Sequence, residues 1–212
     1  MSNPNLNHPV IKAIRYQRTF CMIKPDGVAR GLAGEIIRRI ENAGLKVVAM
    51  KMLTPTEELV KKHVPFENAA WVARLGDKSF SGFEPLNLDP VEFLGTDDKS
   101  VIGKNVADNL VKFLCSGPVV AMVVEGVQAI DMIRKLAGHT LPFKAEMGTI
   151  RGDFSVDSPS IANVEGRAIH NLFHASETLE EAMNEIGLWF PEASDQQDYT
   201  RTDEETMYSK NY

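Results

Sequence analysis

Asn171-Leu172-Phe173-His174-Ala175-Ser176-Glu177 sets a histidine between an amide three residues before it and a hydroxyl and a carboxylate just after it. Much of an ordinary imidazole is unprotonated at physiological pH. Placed correctly, and held at its other ring nitrogen, it is a nucleophile toward an electrophile such as phosphorus. An isolated histidine at a strand end is more often a packed residue, so the reading turns on what else converges on it. Lys24 closes an apolar run, Arg134 lies on a helical stripe, and Arg151 sits in Gly148-Thr149-Ile150-Arg151-Gly152-Asp153. Arginine forks bind phosphate oxygens in pairs. Glu185 lies seven residues beyond Thr178, two helical turns along, from where a carboxylate can turn back and accept from an imidazole. Neither Gly-x4-Gly-Lys-Ser/Thr nor a Gly-x-Gly-x-x-Gly after a strand occurs, so a phosphate site here must be built from side chains. His170 and His174 are four apart with Glu177 beyond. In strand and turn such positions do not converge as on a helix, and a metal centre is not expected there. His8, His63 and His139 have no motif context and read as structural or exposed.

The elements that must hold these residues follow from periodicity. Arg18–Ile23 and Lys46–Leu53 read as strands, the first stopped by the turn signal Lys24-Pro25-Asp26-Gly27. Val119–Val124 is an unbroken apolar run, hence a central strand covered on both faces. Gly31–Ala43, Asn105–Leu114, Gln128–Ala137 and Thr178–Ile186 carry helical stripes, with Thr178 and Glu181 forming a capping box. Thr54-Pro55-Thr56-Glu57-Glu58 starts a further helix. Arg167–His174 reads as extended. Pro65–Gly103 is the least regular part, with Gly76, Gly82, Gly95 and Gly103 among scattered prolines and aromatics. The order predicts an α+β fold, a ferredoxin-like βαββαβ sandwich: an antiparallel sheet with helices on one face, plus a helical insertion and a C-terminal extension. Residues 1–17 read as a loose arm, 18–191 as one domain with insertions at about 65–101 and 155–166, and 192–212 as a polar tail with little structure of its own.

The net charge of −6 excludes broad, backbone-driven nucleic-acid binding, which wants a basic face; a local positive cleft would select small anions. Cys21 and Cys115 lie in apolar runs and read as reduced. No apolar run approaches membrane-spanning length, and Met1–Gln17 has no apolar core of a signal peptide. The expectation is a cytoplasmic protein.

Five blocks then resemble one family in chain order. Asn171-x-x-His174-x-Ser176-Glu177 is similar to the Asn-x-x-His-x-Ser-Asp signature of nucleoside diphosphate kinases. Phe20–Gly27 resembles that family's first strand and its lysine, and Ser116–Gly126 its third strand. Gly148–Phe154 resembles its arginine loop, and Glu185–Phe190 the end of its last core helix. The resemblance implies a ping-pong transfer in which a nucleoside triphosphate, carrying Mg2+ on its phosphates, gives its γ-phosphate to Nδ1 of His174, and a nucleoside diphosphate takes it away. It implies that Glu185 holds the other ring nitrogen. It places Lys24, Arg134, Thr140 and Arg151 around the phosphates and Asn171 with Lys24 at the sugar 3′-hydroxyl, and Ser176 as a support beside the histidine. No protein group is implied as a metal ligand. The implied assembly is a homo-oligomer built from dimers, a hexamer ahead of a tetramer or dimer.

Three positions depart from the pattern. Glu177 stands for the usual Asp, a methylene that moves a carboxylate by about 1.5 Å. Val64 stands where a tyrosine usually helps hold phosphate, and Ala107 where an aromatic usually stacks on the base. Trp71, Phe80, Phe83 and Phe93, in the adjoining insertion, are the aromatics that could replace that platform, or they pack the insertion's own core. The departures also leave a second reading open, a nucleotide-binding regulatory protein of the same fold without turnover.

Overall fold

The computed structural model describes residues 8–207; residues 1–7 of the arm and 208–212 of the tail lie outside the described residues. In chain order come α1 (Pro9–Arg15), β1 (Gln17–Ile23), α2 (Pro25–Ala29), α3 (Ala33–Asn42), β2 (Lys46–Leu53) and α4 (Glu57–His63). Next are α5 (Ala69–Ser81), α6 (Pro90–Leu94), α7 (Lys99–Leu114), β3 (Val119–Gly126) and α8 (Ala129–Ala137). The chain continues through α9 (Ile150–Phe154), α10 (Pro159–Val164), β4 (Phe173–Ala175), α11 (Leu179–Trp189) and α12 (Glu204–Met207).

The four strands pair antiparallel in the order β2-β3-β1-β4. Alternation along the strands decides what each face buries. Phe20 and Met22 of β1, with Val119, Ala121 and Val123 of β3, point to one side; Cys21 and Ile23, with Val120, Met122 and Val124, point to the other. The crossover helices α3 and α8 cover the second side through Ile36, Ile40, Ala129 and Ile133, as the ferredoxin-like order requires. The first side, which that order alone leaves open, is closed by helices from the additions: α4 through Val60, α7 through Ala107, Val111 and Leu114, and α11 through Ile186 and Trp189. Among the described residues no helix is long and apolar enough to cross a membrane.

Four segments differ from the sequence expectation. The arm is helical over Pro9–Arg15 and anchored, because Gln128 N donates to Ile14 O at 3.0 Å and Ile130 N to Gln17 Oε1 at 3.0 Å. The Lys24-Pro25-Asp26-Gly27 turn is the first turn of α2, with proline at its start and an acid near its positive end. The irregular stretch contains a 13-residue helix, α5, packed against a 16-residue one, α7. Two glycines that read as breakers make that packing possible: a Cβ on Gly76 would meet Lys99 O at 1.9 Å, and one on Gly103 would meet Val72 O at 2.0 Å. They bring two backbones together inside helices.

The polar tail, finally, is laid along the start of the edge strand β2. Gln197 N donates to Val48 O at 2.7 Å, Lys46 Nζ to Tyr199 O at 2.7 Å, Tyr199 Oη to Val47 O at 3.1 Å and Arg201 to Leu45 O at 2.8 Å. The tail satisfies edge groups that a strand would otherwise expose. Truncation after Asp195 removes these bonds. It is expected to lower stability by roughly 2 kcal/mol and Tm by about 4–8 °C, read by circular dichroism melting; an unchanged Tm would contradict this docking.

Candidate active site

His174 lies on β4 opposite Met22 of β1, so its ring faces the α4 and α11 side of the sheet. The approach to it is not extended, as Arg167–His174 had suggested. Leu172 has φ 68° and Phe173 N donates back to Asn171 O at 2.7 Å, the pattern of the uncommon γ-turn. Strained conformations of this kind persist only when the surroundings over-determine them. Here Leu172 N donates to Asp26 Oδ2 at 3.0 Å and Leu172 O accepts from Lys24 N at 2.8 Å, so α2 clamps the turn. The strand is thereby shortened to Phe173–Ala175, with Asn171 and His174 on either side of the bend. Asp26 had been read only as part of a turn.

Behind the imidazole stands Glu185 of α11. His174 Nε2 lies 2.8 Å from Glu185 Oε1, and Ser176 Oγ donates to Glu185 Oε2 at 2.6 Å. Burial pushes the Glu185 carboxyl up, but His174 and the Ser176 hydroxyl outweigh it and hold the group below the usual carboxylate range. His63, at the end of α4, closes the group: its Nδ1 is 3.1 Å from the same Oε1, and the two imidazoles meet edge to face with centroids 4.7 Å apart. Burial, and then the neighbouring His174, push His63 down to about 3, so it is neutral. The sequence held no signal for its place, since its register with Glu185 depends on how α4 crosses α11.

The cations gather on the other side. Lys24 Nζ donates to Asn171 Oδ1 at 2.7 Å, and Asn171 Nδ2 donates to Thr140 O at 2.9 Å. Arg151, 7% exposed, gives Nε to Asn171 O at 3.2 Å and its two terminal nitrogens to Gly138 O and Phe173 O at 2.6 Å each. Three of its five donors thus hold the backbone around the histidine. Arg134 is more open and lies 3.3 Å from Glu177. Burial and then Arg151 lower Lys24 to about 8; burial and then Arg134 lower Arg151 to about 10. Like charges drawn this close, offset in part by Asp26 and the exposed Glu177, are a site prepared for an anion. The lowered Lys24 value gives a signed expectation. Lys24 attracts phosphate only when protonated, so nucleotide KM in the steady state should rise as pH passes through about 8, while an unperturbed lysine would hold until about 10.4. Flat KM between pH 7 and 9.5 would refute it. Bound phosphate raises the pKa, so kcat should respond at higher pH than kcat/KM.

On the side where a base would lie, Ala107 is fully buried and Val64 is 3% exposed; both face the core, and neither can present a platform. Of the four aromatics in the insertion, Phe83 is buried and stacked on Phe93 at 5.5 Å, and Trp71 packs against the core. Phe80 lies under Lys99. Phe93 keeps an open face, 39% exposed.

An imidazole backed by a buried carboxylate and set beside a cluster of cations, on a ferredoxin-like sheet, has the make-up of a phosphoryl-transfer site. The comparisons agree. The family model described as nucleoside diphosphate kinase matches residues 17–70 and 99–194, and the chain belongs to that family. It is 46% identical over 176 residues to the nucleoside diphosphate kinase of Pyrobaculum aerophilum, covering 83% of this chain and 96% of that one. The crystal structure of an NDP kinase from that organism superposes with a TM-score of 0.81 at 43% identity, over 86% of this chain and all of the other. A transition-state mimic of nucleoside-diphosphate kinase from Borrelia burgdorferi, with bound vanadate and ADP, gives a TM-score of 0.71 at 38% identity over 90% and 96%.

Proposed function

We propose that His174 carries the phosphoryl group in a nucleoside diphosphate kinase reaction. Nδ1 attacks the γ-phosphorus of a nucleoside triphosphate, an N–P bond forms, and the bond to the β–γ bridging oxygen breaks. The nucleoside diphosphate leaves, and a second one takes the phosphoryl group by the reverse step. The observation that carries this reading is the Ser176-anchored Glu185 carboxylate 2.8 Å from His174 Nε2, which offsets the positive charge the imidazole gains on phosphorylation. Lys24, Arg134 and Arg151 neutralise the oxygens of the transferring group, where positioning and charge do most of the work. Thr140 lines the phosphate side, and Asn171, held by Lys24, reaches the sugar hydroxyl. These groups are cations, a hydroxyl and an amide and offer Mg2+ no carboxylate cage, so the ion fits as a passenger on the phosphates. It supplies charge neutralisation there.

The decisive experiment uses ATP labelled at the γ-phosphate with Mg2+, followed by GDP. The expected result is an acid-labile phosphoprotein that discharges onto GDP. Labelling without discharge would favour the regulatory reading, and no labelling would sink both the intermediate and the enzyme. Assembly from dimers, hexamer ahead of tetramer and dimer, belongs to the same reading. It is supported by the free part of the β2 edge, where Met50 and Met52 are 56% and 62% exposed, and is tested by light scattering. A cytoplasmic setting is supported by two free cysteines.

A further inference from the structure

We propose that His63, His174 and Glu185 form a binding site for a divalent transition-metal ion of the zinc type, and that its occupation stops phosphoryl transfer. The three donor atoms, His63 Nδ1, His174 Nε2 and Glu185 Oε1, all lie within 4.8 Å of one another. The two nitrogens stand 3.1 and 2.8 Å from the carboxylate oxygen. Ligands on one tetrahedral zinc at about 2.0–2.2 Å are about 3.3 Å apart, close to both nitrogen–oxygen separations.

Two further observations point to a cation. His174 Nε2 is buried and makes no hydrogen bond, although Oε1 is at 2.8 Å. At His63, Trp189 Nε1 donates to Nδ1 at 3.4 Å, so Nδ1 presents a lone pair. That lone pair faces a carboxylate oxygen 3.1 Å away, an opposition that a cation between them relieves. The long tryptophan contact is what the ion displaces.

The chemistry of the set selects the ion. Two imidazoles and one carboxylate suit zinc, cobalt, nickel or copper and not magnesium, so this site is separate in kind from the Mg2+ that travels on nucleotide phosphates. Ser176 Oγ, bonded to the second carboxylate oxygen at 2.6 Å, orients the ligand from behind. An ion here withdraws electron density from the His174 ring and takes away the carboxylate that offsets its charge. It leaves Lys24 and Arg151 untouched. Inhibition should therefore appear in kcat with nucleotide KM unchanged. This half of the proposal rests on the phosphotransfer reading; the binding half does not.

The test titrates chelator-stripped protein with ZnCl2 or CoCl2 alone, without nucleotide. Trp189 and Trp71 are the two tryptophans, so indole fluorescence reports the site, and visible Co2+ absorption reports coordination. Saturable binding at one ion per chain is expected. His63→Gln and Glu185→Gln should each weaken it at least ~30-fold, whereas Cys115→Ser, which removes the more accessible thiol, should not. Folding of each variant is checked by circular dichroism; the glutamines keep size and polarity at the buried positions. Absence of saturation by about 100 μM metal, insensitivity to both glutamine variants, or loss of binding in Cys115→Ser overturns the site. Binding without a fall in kcat overturns the inhibitory role. A protein that binds the ion but never forms phosphohistidine fails the proposed function and leaves the site standing.

Discussion

Replacing His174 with alanine is expected to abolish the phosphoprotein and to lower kcat by roughly 10^5-fold or more, the scale on which an enzyme loses its nucleophile. No neighbouring group can take over. His63 turns Nδ1 inward to Glu185 and is 5% exposed in its side chain. The Ser176 hydroxyl is committed to Glu185 and fully buried. Cys21 is buried on the opposite face, and burial, then the Glu185 charge, push its thiol up, away from the reactive thiolate. The phosphate side should survive, because Lys24, Arg151 and Asn171 are held by one another and by backbone, not by the imidazole. The variant should therefore bind nucleoside diphosphate with a Kd within about threefold of the parent while transferring nothing, as uniform binding without a nucleophile requires. Calorimetry for binding and a coupled assay for turnover separate the two. Residual transfer above about 1% of the parent rate would mean that the chemistry does not pass through this histidine.

How much of this could be read from the chain depends on range. Apolar alternation in Arg18–Ile23 and the unbroken run of Val119–Val124 are local facts, and both strands appear where periodicity put them. Lys24, Arg151, Asn171 and His174 stand at ends of such elements, where the fold brings them together. What escaped was set by contacts between distant segments. Gly76 and Gly103 carry helix-breaking composition, yet at their positions backbone meets backbone, and removal of the side chain decides in favour of the helix. The turn at Leu172 exists because Asp26, 146 residues away, accepts its N–H; nothing in Asn171-Leu172-Phe173 announces it. His63 enters the site through the crossing of α4 over α11, and the tail gains its structure from the β2 edge it covers. Ala107, at the position of the expected platform, belongs to the inward face of α7.

Arg151→Lys, formally conservative, should be the second most damaging of these changes. The guanidinium bonds three carbonyls on two segments of backbone, Gly138 on one and Asn171 and Phe173 of the γ-turn on the other. An ammonium has no planar fork and cannot span them. At least one buried carbonyl is then left unpaired, at about 1–3 kcal/mol, and the γ-turn that aims His174 loosens. The charge suffers too. Burial, then Arg134, already bring Arg151 down to about 10. A lysine in the same surroundings starts from a lower intrinsic value and should lose its proton nearer neutrality, as Lys24 does at about 8. The loss of transition-state stabilisation should resemble that of an oxyanion-hole donor, about 10^2–10^3 in kcat. Arg134→Lys is the control. Arg134 is 44% exposed in its side chain and pairs with Glu177, so the same substitution there should raise KM a few-fold and leave Tm unchanged. If Arg151→Lys instead keeps kcat within about threefold and Tm within about 2 °C of the parent, then the three carbonyl bonds do not position the histidine. Arg151 would then serve as a point charge that any cation can replace.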